Sequence, residues 1–319
     1  MSSRAEVPPW TGLAVVGPTA VGKSDLAVAL ARRLGGEVVN ADSMQLYRGM
    51  DIGTAKLTLA ERAGVAHHLL DVLDVRQDAN VAAYQEQALA VVADIRRRGK
   101  VPILVGGSGL YVAAVVSGLA FPGTDAVVRA RLEDELAAEG APALYARLTA
   151  VDPEAAEAIL PSNGRKLVRA LEVVELTGGP FRAVLPELGA EGPGSWLRIG
   201  VTAPRSELAA RIEARVDRMW SLGLVDEVRR LAAEGLREGR TAARALGYAQ
   251  VLRHLAGASS EERARVDTVN ATRRFVRRQE SWFGRDPSIR WLPYDAPDLL
   301  DQAVAHWADQ ALADRAQQD

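Results

Sequence analysis

Gly17-Pro18-Thr19-Ala20-Val21-Gly22-Lys23-Ser24 satisfies G-x-x-x-x-G-K-[ST] at every fixed position. The chemistry open to such a run is phosphate binding. Its glycines let successive backbone N–H groups curl around phosphate oxygens, Lys23 adds a whole positive charge, and Ser24 offers a hydroxyl to Mg²⁺. Leu13-Ala14-Val15-Val16 just ahead reads as a buried strand. Leu26, Ala27, Leu30, Ala31 and Leu34 just behind recur at helical spacing, and Gly35-Gly36 ends the run. A chance glycine turn would not bring both flanks, and the helix start adds its own partial positive charge.

The motif does not say which phosphate is held. ATPases and kinases add an acidic residue at the end of a buried strand to carry Mg²⁺. Here the strand expected over residues 101–105 runs into Gly106-Gly107-Ser108-Gly109, and Leu69-Leu70-Asp71 is a weak substitute. A diphosphate bound as a leaving group fits better than a phosphoryl donor. Asp42 follows the strand expected around Val38-Val39, on the rim where open parallel sheets bind ligands. A carboxylate there can take a proton from an amine or hold a metal, or it can simply cap the next turn. The glycine loop likewise reads as a close approach to a ligand or as a tight strand-to-helix turn.

Farther on, Arg273, Arg274, Arg277 and Arg278 fall within one arc of a helix. Val269, Phe275, Val276, Trp282 and Phe283 fall opposite. Solvated helix faces usually interleave acids with bases, and only Glu280 is near, so phosphate or RNA contact is expected. Arg244-Ala245-Leu246-Gly247-Tyr248 adds an arginine beside a tyrosine able to stack on a base. The adjacent His67-His68 lacks metal-ligand spacing and reads as structural or solvated.

These residues must be positioned by alternating strands and helices with short connections, so the first 120 residues read as a parallel α/β sheet. Past Phe121-Pro122-Gly123 the pattern turns purely helical, until a Gly/Pro-rich stretch precedes a returning strand from Trp196. The expected organisation is a P-loop α/β core of residues 1–120 and 196–319, interrupted by a helical insertion over 121–195. After residue 206 the core reads as mostly helix. With 319 residues, 48% hydrophobic and 25% charged, the composition is that of an ordinary soluble globular protein. A net charge of -2 excludes a uniformly basic coat, and the absence of cysteine excludes disulfides and thiolate metal sites. With neither a signal-like start nor a long apolar run, the cytoplasm, no membrane and a monomeric state are the expectations.

Taken together the motifs resemble the tRNA dimethylallyltransferase family, also called the isopentenyl-diphosphate:tRNA transferases. The matching segments are GPTAVGKS from Gly17, ADSMQLYRGMDIGTAK from Ala41, HHLLDV from His67, VGGSGLY from Val105, RALEV from Arg169, RALGY from Arg244 and ATRRFVRRQESWF from Ala271. They keep the family's order and span nearly the whole chain. Ser108, where threonine is usual, and Glu280, where an apolar residue is common, are small departures.

The resemblance implies a P-loop NTPase-like parallel sheet flanked by helices, with a helical insertion that grips the anticodon stem. It implies transfer of a dimethylallyl group from dimethylallyl diphosphate to N6 of adenosine 37 of tRNA, assisted by Mg²⁺. Residues 17–24 would bind the diphosphate, with Thr19 near its bridging oxygen and Ser24 toward the metal. Asp42 would take the N6 proton. The tRNA contacts would be Asp42, Ser43, Met44, Gln45, Ser108, Arg129, Arg165, Lys166, Leu167, Val168, Arg169, Arg244, Arg277, Arg278, Gln279 and Trp282. Rival readings are an adenylate isopentenyltransferase using free AMP, a P-loop ATPase or kinase switch, and a non-catalytic RNA-binding module.

Overall fold

The computed structural model describes residues 11–119, 121–181 and 195–316. Among the described residues six strands form one sheet: β1 (Gly12–Val16), β2 (Glu37–Asn40), β3 (His67–His68), β4 (Pro102–Val105), β5 (Trp196–Thr202) and β6 (Ile289–Pro293). Their order is β3-β2-β4-β1-β5-β6, and every neighbouring pair is parallel. All carboxyl ends therefore lie on one edge, which places the loops after β1, β2 and β4 side by side.

Helices of the same unit cover both faces, as a parallel sheet requires. The helices of the chain are α1 (Lys23–Leu34), α2 (Val81–Arg97), α3 (Gly109–Val116), α4 (Ala126–Glu139), α5 (Ala141–Val151), α6 (Pro153–Glu157), α7 (Gly164–Thr177), α8 (Arg205–Ser221), α9 (Leu224–Ala233), α10 (Tyr248–Leu255), α11 (Glu261–Phe283) and α12 (Leu299–Ala316), of which α4 to α7 belong to a second unit described below. Leu13, Val15 and Ile103 pack with Leu26, Leu30, Leu208, Ile212 and Trp307 on one face. Ala14, Val39 and Leu104 pack with Tyr84, Val92, Val112 and Phe283 on the other. This alternation of single strands between two cores explains why β1 and β4 read as unbroken apolar runs. The helix after the P-loop stops where Gly35 takes the left-handed conformation, at φ 65°.

The reading of the region after residue 206 as mostly helix missed β6. It is a five-residue edge strand, buried only at Ile289 and Leu292 and ending in proline, so its apolar signal is short.

The described residues 121–181 make a second compact unit, with the first unit formed by the chain on either side. The Gly/Pro-rich end of the expected insertion, 182–194, lies outside the described residues. The second unit has its own core of Leu132, Leu144, Leu148, Ile159, Leu167, Val168 and Leu171. Asp125 starts α4 by accepting the Val127 and Val128 N–H groups. Arg131 and Arg147 each bond both Glu135 and Glu175, closing a four-residue ionic ring on its surface.

Candidate active site

The P-loop joins β1 to α1. Gly17 has φ 135°, and a Cβ there would lie 2.4 Å from the Val201 carbonyl oxygen, so the turn into the loop admits only glycine. Ala20 also has positive φ, and its carbonyl accepts the Arg211 Nε–H at 2.7 Å. The Lys23 ammonium turns inward and donates to the Pro18 carbonyl. The Ser24 hydroxyl has no hydrogen-bond partner among the described residues.

Asp42 lies just past β2. The Asn40 side chain accepts its N–H at 2.9 Å and donates to its carbonyl at 3.0 Å, which fixes the backbone. One carboxylate oxygen accepts the Met44 N–H at 2.9 Å, so the turn-capping role expected as the plain alternative is present. The second oxygen is unengaged among the described residues. Tyr84 and Tyr111 stack nearby with ring centroids 4.7 Å apart, and the Tyr84 hydroxyl donates to the Asn40 carbonyl at 2.8 Å. Burial, reinforced by the Asp42 charge, pushes both phenols up.

The electrostatics of this rim are unbalanced. Burial, with the Arg215 guanidinium close by, pushes the Lys23 ammonium down to about 7, and the Asp42 carboxylate opposes the shift. Arg215 is lowered by burial in the same way and again opposed by Asp42. Lys23 and Arg215 are both half-buried, and the Asp42 carboxylate acts on each. Such an arrangement calls for an added anion, because unpaired half-buried charge is costly.

Two further contacts knit the rim together. The Ser43 N–H donates to the Ser108 Oγ at 3.3 Å, linking the Asp42 loop to the glycine loop. Gln279 of α11 accepts the Thr19 N–H at 2.9 Å and donates to the Gly107 carbonyl at 2.9 Å, linking the P-loop to the glycine loop. Residues 17–24, 42–45, Ser108 and Gln279 are therefore brought to one place.

Other expected contacts are placed differently. Gln279 is only 4% exposed, so its carboxamide organises backbone instead of presenting itself to RNA. Gln45 donates to the Thr54 carbonyl at 3.2 Å. Tyr248, expected as a stacking surface, is fully buried. In the second unit Leu167 and Val168 belong to the core. Arg129 and Arg169 there reach the buried carboxylate of Glu172 at 2.5 and 2.7 Å. Arg165 and Lys166 are exposed. Arg244 is exposed on a short 3-10 turn of the first unit.

On α11, Arg273 bonds Glu213 and leaves the arginine face, while Glu280 pairs with Arg205 at 3.5 Å. Arg274, Arg277, Arg278, Ser281, Trp282 and Arg285 line an open groove. Arg278 lies over Phe275 at 5.6 Å and Arg285 over Trp282 at 5.2 Å. Among the described residues Arg274, Arg277, Arg278 and Arg285 have no acidic partner. Arg285 was not expected from the sequence, and neither were Arg211 and Arg215. The last two are spaced i,i+4 on α8 beside its buried Leu208-Ile212-Val216 stripe, a pattern that marks a face but no ligand.

A family model described as IPP transferase matches residues 45–286. The chain is similar to the tRNA dimethylallyltransferase of Thermobifida fusca, at 66% identity over 300 residues, covering 92% of this chain and 93% of that one. It is similar to the protein of the same name from Streptomyces coelicolor, at 64% identity over 280 residues, covering 88% and 89%. Among solved structures it resembles a tRNA isopentenylpyrophosphate transferase from Bacillus halodurans, with TM-score 0.70, 37% identity, and coverage of 96% of this chain and 99% of that one. A eukaryotic dimethylallyltransferase acting on tRNA shares the fold, with TM-score 0.77 at 24% identity, covering 94% and 77%.

Proposed function

The chain belongs to the IPP transferase family, and from that membership we propose that it moves a dimethylallyl group from dimethylallyl diphosphate to N6 of adenosine 37, beside the tRNA anticodon, releasing diphosphate. The observation that carries the chemistry is the rim where the P-loop, with Lys23, follows β1 and Asp42, with one carboxylate oxygen unengaged among the described residues, follows β2 on the same edge of the sheet.

In the reaction the allylic C1–O bond breaks and the N6–C1 bond forms. Positive charge grows on carbon and the electron pair leaves with diphosphate. Lys23, Arg215 and the N–H groups of the loop stabilise that leaving charge. Thr19 is the residue proposed to face the bridging oxygen. The amine is a poor nucleophile, and Asp42 accepts its proton during attack through the carboxylate oxygen not held by Met44. Tyr84 and Tyr111 stay protonated, so the carboxylate is the base available there.

Mg²⁺ is the proposed cofactor. Among the described residues no cluster of three or more Asp, Glu, His or Cys converges, which fits an ion held mostly by diphosphate oxygens and water. The Ser24 hydroxyl would be its protein ligand. When bound, the ion adds positive charge against the departing diphosphate.

The arginine groove of α11 takes the anticodon stem-loop backbone. Arg165 and Lys166 of the helical unit take the stem, and Arg244 adds a contact to the core side. The target base must unstack to enter, which a single-stranded loop makes less costly. Acting on free AMP would leave both the groove and the helical unit without a role, and a kinase-like switch would lack an acid at the end of β4. The protein is proposed to act as a monomer in the cytoplasm. Among the described residues no helix is long and apolar enough to cross a membrane.

The decisive assay offers labelled dimethylallyl diphosphate with bulk tRNA, with AMP, and with neither. Label entering tRNA with release of diphosphate is expected. Transfer to AMP alone would overturn the assignment.

A further inference from the structure

The segment Asp51-Ile52-Gly53-Thr54 has no role in the chemistry above, yet it is held by an unusual acceptor. Glu227 of α9 is 7% exposed. One of its carboxylate oxygens accepts the N–H of Asp51 at 3.2 Å and of Ile52 at 2.8 Å. The other accepts the Gly53 N–H at 3.3 Å and the Tyr248 hydroxyl at 2.5 Å. Tyr248 opens α10 and is fully buried, and its ring packs against the turn. A Cβ on Gly53 would come within 2.4 Å of it. Burial, then the Glu227 charge, pushes the Tyr248 phenol well up, so it remains a donor.

What this clasp presents is the next carbonyl. Thr54 folds back, its hydroxyl donating to the Met50 carbonyl at 2.6 Å. Its own carbonyl oxygen accepts from Arg215 and from Gln45, each at 3.2 Å. Arg215 is the second cation of the rim, and Gln45 belongs to the loop that carries Asp42. A single backbone oxygen therefore sets both. If stability alone were at stake, apolar packing would serve as well as an enclosed carboxylate with four donors. The carboxylate instead fixes three successive amides, which apolar contacts cannot do.

We propose that Glu227 and Tyr248 are positioning residues for prenyl transfer: through the 51–54 turn they set the Thr54 carbonyl, and with it the Arg215 guanidinium facing the leaving diphosphate. This rests on the functional reading above. It gives DIGTAK and RALGY, quoted separately from the sequence, one shared role.

The test is a double-mutant cycle on the full-length protein, read by single-turnover prenylation of tRNA at saturating donor. Tyr248→Phe is expected to slow transfer about tenfold, and Arg215→Ala about a hundredfold, since each weakens stabilisation of the leaving charge. The double variant is expected to be no slower than Arg215→Ala, because Tyr248 acts through that residue. The dissociation constant for tRNA and the Tm of Tyr248→Phe should stay near wild type. Glu227→Gln, which puts an N–H against the turn's own N–H groups, should fall further in rate. If it does not fold, Tyr248→Phe carries the test alone. Losses that multiply in the double variant, an unchanged Tyr248→Phe rate, or a rate that falls only in step with Tm would each overturn the proposal while leaving tRNA prenylation intact. A wild-type protein that labels no tRNA would overturn the functional reading first.

Discussion

Gln279 and Thr19, separated by 260 positions, meet through one buried carboxamide whose other end holds the Gly107 carbonyl. The carboxamide accepts from the P-loop with its oxygen and donates to the glycine loop with its nitrogen. A helix from the far end of the chain thereby closes a bridge between two phosphate-side loops.

That bridge gives the first prediction. Gln279→Glu keeps the acceptor for Thr19 but sets a carboxylate against the Gly107 carbonyl. Leaving one buried polar group unsatisfied costs about 1–3 kcal/mol. A lower Tm is expected, together with a weaker apparent affinity for dimethylallyl diphosphate. Titration of the donor at saturating tRNA checks it, and a variant with wild-type donor affinity would show that the bridge does not shape the loop.

Lys23 should impose a pH limb on donor capture. In the free protein its ammonium, pushed down to about 7, is charged below that pH and neutral above. Since kcat/KM reports the free enzyme, its value for the donor should fall as pH rises through about 7. Lys23→Ala should lose about 10²–10³ in rate and abolish that limb. The sign for stability is opposite. A lysine lowered on folding leaves the unfolded chain binding more protons between about 7 and its ordinary value, so stability gains from this residue as pH rises across that window. A donor kcat/KM profile that is flat from about pH 6 to 9 in the wild type would contradict the charge role.

Asp42→Asn separates base from metal holder. The asparagine oxygen can still cap the Met44 N–H, so the turn should survive. Loss of a general base costs about 10²–10⁴ in rate, with donor affinity near wild type. Single-turnover prenylation across a Mg²⁺ series decides the role. A deficit that high Mg²⁺ does not repair supports the base, whereas rescue moves Asp42 to the metal, and near-normal chemistry removes it from the mechanism.

On α11 the arginines divide by partner. Arg277→Ala with Arg278→Ala should weaken tRNA binding and lower the slope of log affinity against log salt by about one unit for each phosphate no longer engaged. Arg273→Ala, whose side chain already serves Glu213, should leave that slope unchanged. Binding titrations at several salt concentrations compare them, and equal slopes throughout would mean that the groove is merely solvated.

The parts of the site that the sequence makes legible are those confined to a few adjacent residues. The P-loop, Asp42 and the glycine loop each announce a strand end and a turn, and the core they imply is the one observed. Residues recruited by packing carry no such mark. Arg215 and Glu227 read locally as ordinary charged positions on helices, and only the folded chain brings them to the two ends of the 51–54 turn. Tyr248, Gln279, Leu167 and Val168 show the converse error. Tyr248 suggested RNA by its type and the other three by the family resemblance, but burial is decided by which helix face meets the core. β6 escaped notice because an edge strand needs only two inward residues.

The helical unit holds its own apolar centre and closes its surface with the Arg131-Glu135-Arg147-Glu175 ring. Its internal consistency is therefore a private matter. Substitutions among its core residues are repacked against one another. Under the proposed function, a chimaera carrying a relative's version of residues 121–181 is expected to alter tRNA binding while leaving the rate of bond formation unchanged.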